Sequence, residues 1–225
     1  MKKYYVFCFC MLFTFSEFAM GQSIPEDKIL HYEEALISLD TVLCTLHSIF
    51  IANDTLALAF RKALTHYPEL CYRKILLKYG RIKTSMAAQP RFWSVFRNSD
   101  KRTYKVIINN NPRKPQTQLI YAAPFDARVG VMGHELAHIL DYSTKSGWQI
   151  AWTGVRYIGK KSRRKIEWQT DMVAIERGLG WQVYHFAYFV THKSDIDNAY
   201  RQYKSDIYMK PEEIFEIITF KNEEY

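Results

Sequence analysis

Two histidines four residues apart, with a glutamate beside the first, occur in the run His134-Glu135-Leu136-Ala137-His138. On a helix, residues at this spacing share a face, so both imidazoles can bind one metal ion. Glu135 lies one residue on, about 100° around the axis. From there its carboxylate can reach a water on that ion without being a ligand itself. The chemistry such a set performs is hydrolysis, with Glu135 as general base. Val129, Met132, Leu136, Ile139 and Leu140 supply apolar positions on both flanks of the ligand face. Gly130, Gly133 and Ala137 form a stripe of small residues, and each helical glycine costs about 1 kcal/mol relative to alanine. That cost predicts close backbone approach, by a second metal-binding helix or by a sheet.

A catalytic zinc site takes three protein ligands and keeps one position open. The best third ligand is Glu167, in Glu167-Trp168-Gln169-Thr170-Asp171-Met172-Val173-Ala174. Glu167 and Asp171 share a helix face, followed by Ala174 and Gly178. Asp171 is then placed to accept the free ring N–H of a ligand histidine. Asp141, three residues past His138, is the competing ligand.

His134-Glu135-x-x-His138 with a downstream Glu167-x-x-x-Asp171 resembles the gluzincin metallopeptidases. The Glu-aromatic-Gln-x-Asp-x-x-Ala wording is most similar to the branch holding the CAAX-prenyl endopeptidases and HtpX, over residues 125–180. The resemblance implies a zincin-like fold, a small sheet packed with the motif helix and a second metal-binding helix. It also implies Zn2+ held by His134, His138 and Glu167, Glu135 as general base, and Asp171 orienting a ligand imidazole. The family's downstream transition-state-stabilising residue finds no counterpart.

The elements around the motif read as α+β. A helical amino-terminal third starts at Pro25, and a second helix, capped by Asp54 and stopped by Pro68, follows from Asp54 to Tyr67. Lys74–Met86 and Thr103–Ile108 read as strands, with a third at Gln118–Tyr121. Residues 109–115 form a loop, and the chain is mostly helical from Phe125 onward. Trp148, Trp152 and Val155, at i, i+4 and i+7, predict a buried helix face. His185 and His192, with Tyr184 and Tyr188 nearby, are candidate donors to a developing oxyanion.

Composition bounds the rest. The 225 residues are 48% apolar and 24% charged, which excludes collagen-like, low-complexity and wholly disordered classes. Lys2 and Lys3, the apolar stretch Tyr4–Phe15 and Ala19-Met20-Gly21 form a signal-peptide pattern over residues 1–21. Residues 22–225 then make one domain, and the formal charge falls from +8 to +7. The chain is expected to be exported, periplasmic or secreted, which points away from nucleic acid and toward peptide or protein substrates. Export leaves Cys44 and Cys71 as a candidate disulfide. Lys160, Lys161, Arg163, Arg164 and Lys165 form a basic cluster, read as a solvated face. The cluster is also a candidate membrane-surface contact, and Arg163 a candidate cleft cation for acidic substrate. The alternative to a peptidase is a non-catalytic metal-binding envelope protein or interaction module, against which Glu135 argues.

Overall fold

The computed structural model describes residues 48–50 and 53–223. The expected leader, the helix from Pro25 and Cys44 lie outside the described residues. Cys71 is disulfide-bonded.

Strand β1 (Ser48–Phe50) leads through helix α1 (Asp54–Leu64) to strand β2 (Lys74–Gly80), a parallel βαβ unit. The cap of α1 is Asn53 rather than Asp54: its Oδ1 accepts from Leu56 N at 2.8 Å. Strand β3 (Met86–Pro90) and strand β4 (Thr103–Asn109) complete a four-stranded mixed sheet in the order β1-β2-β4-β3. Six of the seven residues of β4 are buried, as befits a strand paired on both sides. It runs parallel to β2 and antiparallel to β3.

The single strand expected over Lys74–Met86 is therefore two strands on opposite sides of β4. The intervening loop is wrapped around the buried Asn109 side chain. Its Nδ2 donates to the carbonyls of Ile82 (3.1 Å) and Thr84 (2.9 Å). Gln118–Tyr121 is helical, inside α2 (Gln116–Ala122), and buries Leu119 and Ile120. Thr117 Oγ1 ties the start of α2 to the Asn111 carbonyl at 2.6 Å, so the polar 110–115 loop turns into a helix, not a strand.

From Phe125 the chain is helical, as expected. Helix α3 (Phe125–Thr144) carries the His-Glu motif and is buried on nearly every side. It is followed by α4 (Gly147–Arg156), α5 (Lys160–Ala174), α6 (Gly180–Tyr188), α7 (Asn198–Ile207) and α8 (Pro211–Glu223). A π-helical turn, Ile175–Leu179, joins α5 to α6, and Gly178 there has φ +83°, which a side chain would strain. Gly178 thus ends α5 one turn past its functional face and lets α6 return across α3.

That crossing explains the small-residue stripe. A Cβ on Gly130 would stand 2.0 Å from the Gln182 carbonyl oxygen of α6, and one on Gly133 would stand 2.3 Å from Leu179. The close neighbours are thus α6 and the turn before it, neither the second metal-binding helix nor the sheet. Arg102 fixes the far end of α3. Its buried guanidinium donates to the carbonyls of Tyr142 (3.1 Å) and Lys145 (2.6 Å), where the helix dipole is negative.

Trp148, Trp152 and Val155 are not a buried face. All three are exposed, and α4 buries only Ile150 and Thr153. A capping box holds its start: Gln149 N donates to Ser146 Oγ at 3.3 Å and Ser146 N to Gln149 Oε1 at 2.7 Å.

Candidate metal centre

Burial of α3 between α1, α5, α6 and β3 takes His134, Glu135 and His138 out of solvent together. The two imidazoles meet edge-on, with centroids 4.8 Å apart, as residues four apart on one helix face must. Helix α5 brings Glu167 to them. Its Oε2 lies 3.1 Å from His134 Nε2 and 3.3 Å from His138 Nε2. One ligand atom from each of the three residues falls within 4.8 Å of the others.

These separations fit an ion. Ligand atoms about 2.0–2.2 Å from a tetrahedral centre stand roughly 3.3 Å apart. Two imidazole nitrogens and one carboxylate oxygen are a donor set suited to a divalent ion of borderline softness. The buried group His134, His138 and Glu167 can therefore hold a metal ion.

The ring orientations are fixed from behind. Asp171, one turn after Glu167, has Oδ1 2.7 Å from His134 Nδ1, which places the ring proton on Nδ1 and leaves Nε2 to the ion. The other Asp171 oxygen accepts from Met209 N at 3.2 Å, tying the helix pair to the chain beyond α7. Thr170 does the same for the second ring. Its Oγ1 lies 3.2 Å from His138 Nδ1, accepting that proton while donating its own to the Ile166 carbonyl at 2.9 Å. Tyr67, from the turn after α1, donates to the Gly133 carbonyl at 2.8 Å and fastens α3 where the motif begins.

The electrostatics follow from this packing. Burial opposes charging His134, but Asp171 and Glu167 outweigh it and raise its pKa to about 10. Burial also opposes ionising Glu167, yet His138 and His134 hold its carboxyl well below the usual carboxylate range. For Glu135 burial prevails and pushes its pKa up, although both histidines oppose. Its Oε2 is buried and has no hydrogen-bond partner among the described residues.

Glu135 and His134 open onto a narrow cleft of about 50 Å³. Met86, Val131, Val183, Phe186 and Ile214 make much of its wall apolar, and Thr84 and Ser85 lead into the edge strand β3. Lys204 and Tyr208 line the same cleft. The Lys204 ammonium stands 3.3 Å from the Tyr208 ring centroid. Burial lowers its pKa, while the carboxylates of Glu167, Asp171 and Glu135 act against that. Tyr157, just past α4, has its ring centroid 6.4 Å from that of His138. Burial raises its pKa, reinforced by the charge of Glu167.

No protein-family model, no curated protein and no solved structure matches this chain. Its chemistry rests on its own geometry.

Of the predicted site residues, the structure brings His134, Glu135, His138, Glu167 and Asp171 together. Asp141 does not. It faces away, with Oδ2 2.6 Å from Lys145 Nζ. Arg163 is no cleft cation either: it donates to the Tyr157 carbonyl through Nε (2.8 Å) and NH2 (2.6 Å). In the same cluster, Lys160 pairs with Asp206 of α7 at 2.6 Å. His185 is buried against Asp126, and His192 is exposed beside Tyr188 with ring centroids 4.5 Å apart, so neither lines the cleft. Thr170, Tyr157, Lys204 and Tyr208 are additions from the structure. Only Thr170 left a signal, since each ligand imidazole needs an acceptor for its second nitrogen and Thr170 shares the ligand face of α5.

Proposed function

We propose that the protein is an exported zinc metallopeptidase of gluzincin type, built on a zincin-like α+β fold. The observation that carries this is Glu135. Its carboxylate oxygen is buried and unpartnered among the described residues, beside three side chains that can hold a metal ion. An acidic group so placed is costly unless a polar ligand completes it. A structural metal site would not require it.

His134, His138 and Glu167 would hold the zinc, which when bound lowers the pKa of a coordinated water toward 7 and polarises a carbonyl. Glu135 takes the proton of the attacking water and delivers it to the leaving amine. Its raised pKa makes the carboxylate a stronger base toward the attacking water. Lys204 supplies positive charge to the oxygen on which negative charge develops. Strand β3, whose outer edge pairs with no other strand among the described residues, takes an extended peptide by strand addition, and the apolar cleft wall takes one of its side chains. The disulfide at Cys71 agrees with an oxidising compartment.

The test is metal content together with turnover on unfolded casein. Stoichiometric zinc with chelator-sensitive cleavage supports the peptidase. Stoichiometric zinc with no cleavage of any peptide supports a metal-binding interaction module instead.

A further inference from the structure

Helix α4 turns the wrong side outward for a helix of a soluble core. Trp148 is 81% exposed, Trp152 65%, Val155 51% and Ile158, just beyond the helix, 80%. These residues recur at i, i+4, i+7 and i+10, a single stripe about 15 Å long. The 92–96 turn adds Phe92, Trp93 and Phe96, exposed by 68%, 78% and 70%. It abuts the first turn of α4: a Cβ on Gly147 would meet the Val95 carbonyl at 3.0 Å and the Phe96 ring at 3.5 Å. The two segments thus form one apolar surface, far richer in aromatic rings than scattered exposed residues would make it.

Its charge says what it meets. Segments 91–99 and 146–158 contain Arg91, Arg97 and Arg156 and no carboxylate at all. Just past the first segment Asp100 is paired with Arg73 and is followed by Lys101, and Lys160 and Lys161 lie just past the second. Tryptophans and phenylalanines beside arginines, with no acid among them, match the boundary between acyl chains and anionic head groups. No described helix is long and apolar enough to cross a membrane, so contact through this face is interfacial.

We propose that α4 and the 92–96 turn dock the protein on an anionic lipid surface, with Trp93, Trp148 and Trp152 inserted among the head groups. The docking face is independent of the metal chemistry. It also lies close to it, because α4 leads straight into Tyr157, beside His138.

The experiment sediments the mature chain carrying Glu135→Gln, so that binding is read without hydrolysis. Vesicles are either phosphatidylcholine alone or an equimolar mixture with phosphatidylglycerol. The expected result is co-sedimentation with the anionic vesicles, weakened by salt, with a blue shift of tryptophan emission. Trp148→Ala and Trp152→Ala each weaken partitioning by about tenfold. Both side chains are exposed, so circular dichroism and zinc content should match the parent. A chain that stays in the supernatant with anionic vesicles overturns the proposal. So does binding that survives both tryptophan changes but is lost on Lys161→Glu with Arg164→Glu, which would assign it to the basic cluster. A dimer in light scattering that the tryptophan changes dissociate, without vesicle binding, would assign the face to a second copy of the chain.

Discussion

Replacing Asp171 by asparagine tests how far the metal centre depends on the carboxylate behind it. The two oxygens of Asp171 are both engaged, Oδ1 with His134 Nδ1 at 2.7 Å and Oδ2 with Met209 N at 3.2 Å. Asparagine keeps one acceptor and turns the other into a donor. Whichever way the amide settles, either the His134 ring proton or the Met209 amide then faces an N–H. One hydrogen bond to a charged group is lost in a buried site, about 1.5–3 kcal/mol. If the amide oxygen stays with Met209, His134 loses its tautomer lock and zinc affinity falls by about 10–100-fold. If it stays with His134, the loss appears instead as a lower melting temperature of the metal-free protein. Zinc competition against a chromophoric chelator, with a melt of the chelator-stripped protein, reads both. Wild-type affinity together with a wild-type melt would refute the reasoning.

Other expectations follow from the same geometry. Glu167→Ala should abolish stoichiometric zinc, whereas Asp141→Asn, which faces Lys145, should leave zinc and activity intact; metal analysis of the two variants decides. Lys204→Met should lower kcat by about 10²–10³-fold with zinc retained, as loss of one oxyanion-stabilising group does, and steady-state kinetics on casein peptides checks it. The metal-free protein should lose stability with rising pH. His134 titrates at about 10 when folded against 6.5 when unfolded, so its contribution is complete below 6.5 and gone above about 10. Glu167 acts oppositely: its depressed pKa contributes above 4.5 and is lost as pH falls further. Melts of chelator-stripped protein should therefore be highest between these two values, and a flat profile would contradict the buried charge cluster.

The centre was legible in the sequence because each helix carries its share locally. Four-residue spacing put His134 and His138 on one face and Glu167 and Asp171 on another, and only the meeting of the two helices was left to the fold. Lys204 and Tyr208 gave no such signal. They reach the cleft through the return of α7 across α5, a tertiary fact with no counterpart in local spacing. The α4 tryptophans show the opposite failure. Periodicity reports that one face is apolar and is silent on which side the core lies, so Trp148, Trp152 and Val155 read as buried when they face outward. The strand boundaries near Gly80 and Met86 were hidden for a similar reason. The break depends on Asn109, more than twenty residues on, whose side chain organises the loop between them. Gly130 and Gly133 announced a close approach correctly, but not by which element.

The most direct test of the account is Glu135→Gln, with zinc content and casein hydrolysis measured on the same preparation. Glu135 Oε2 has no partner among the described residues, so an amide there costs the fold little. It neighbours a ligand without belonging to the set of His134, His138 and Glu167, so the ion should stay. A glutamine cannot accept and return a proton. The account predicts stoichiometric zinc, an unchanged melting temperature and hydrolysis reduced by about 10²–10⁴-fold. Turnover near that of the wild type, with zinc still bound, would contradict it.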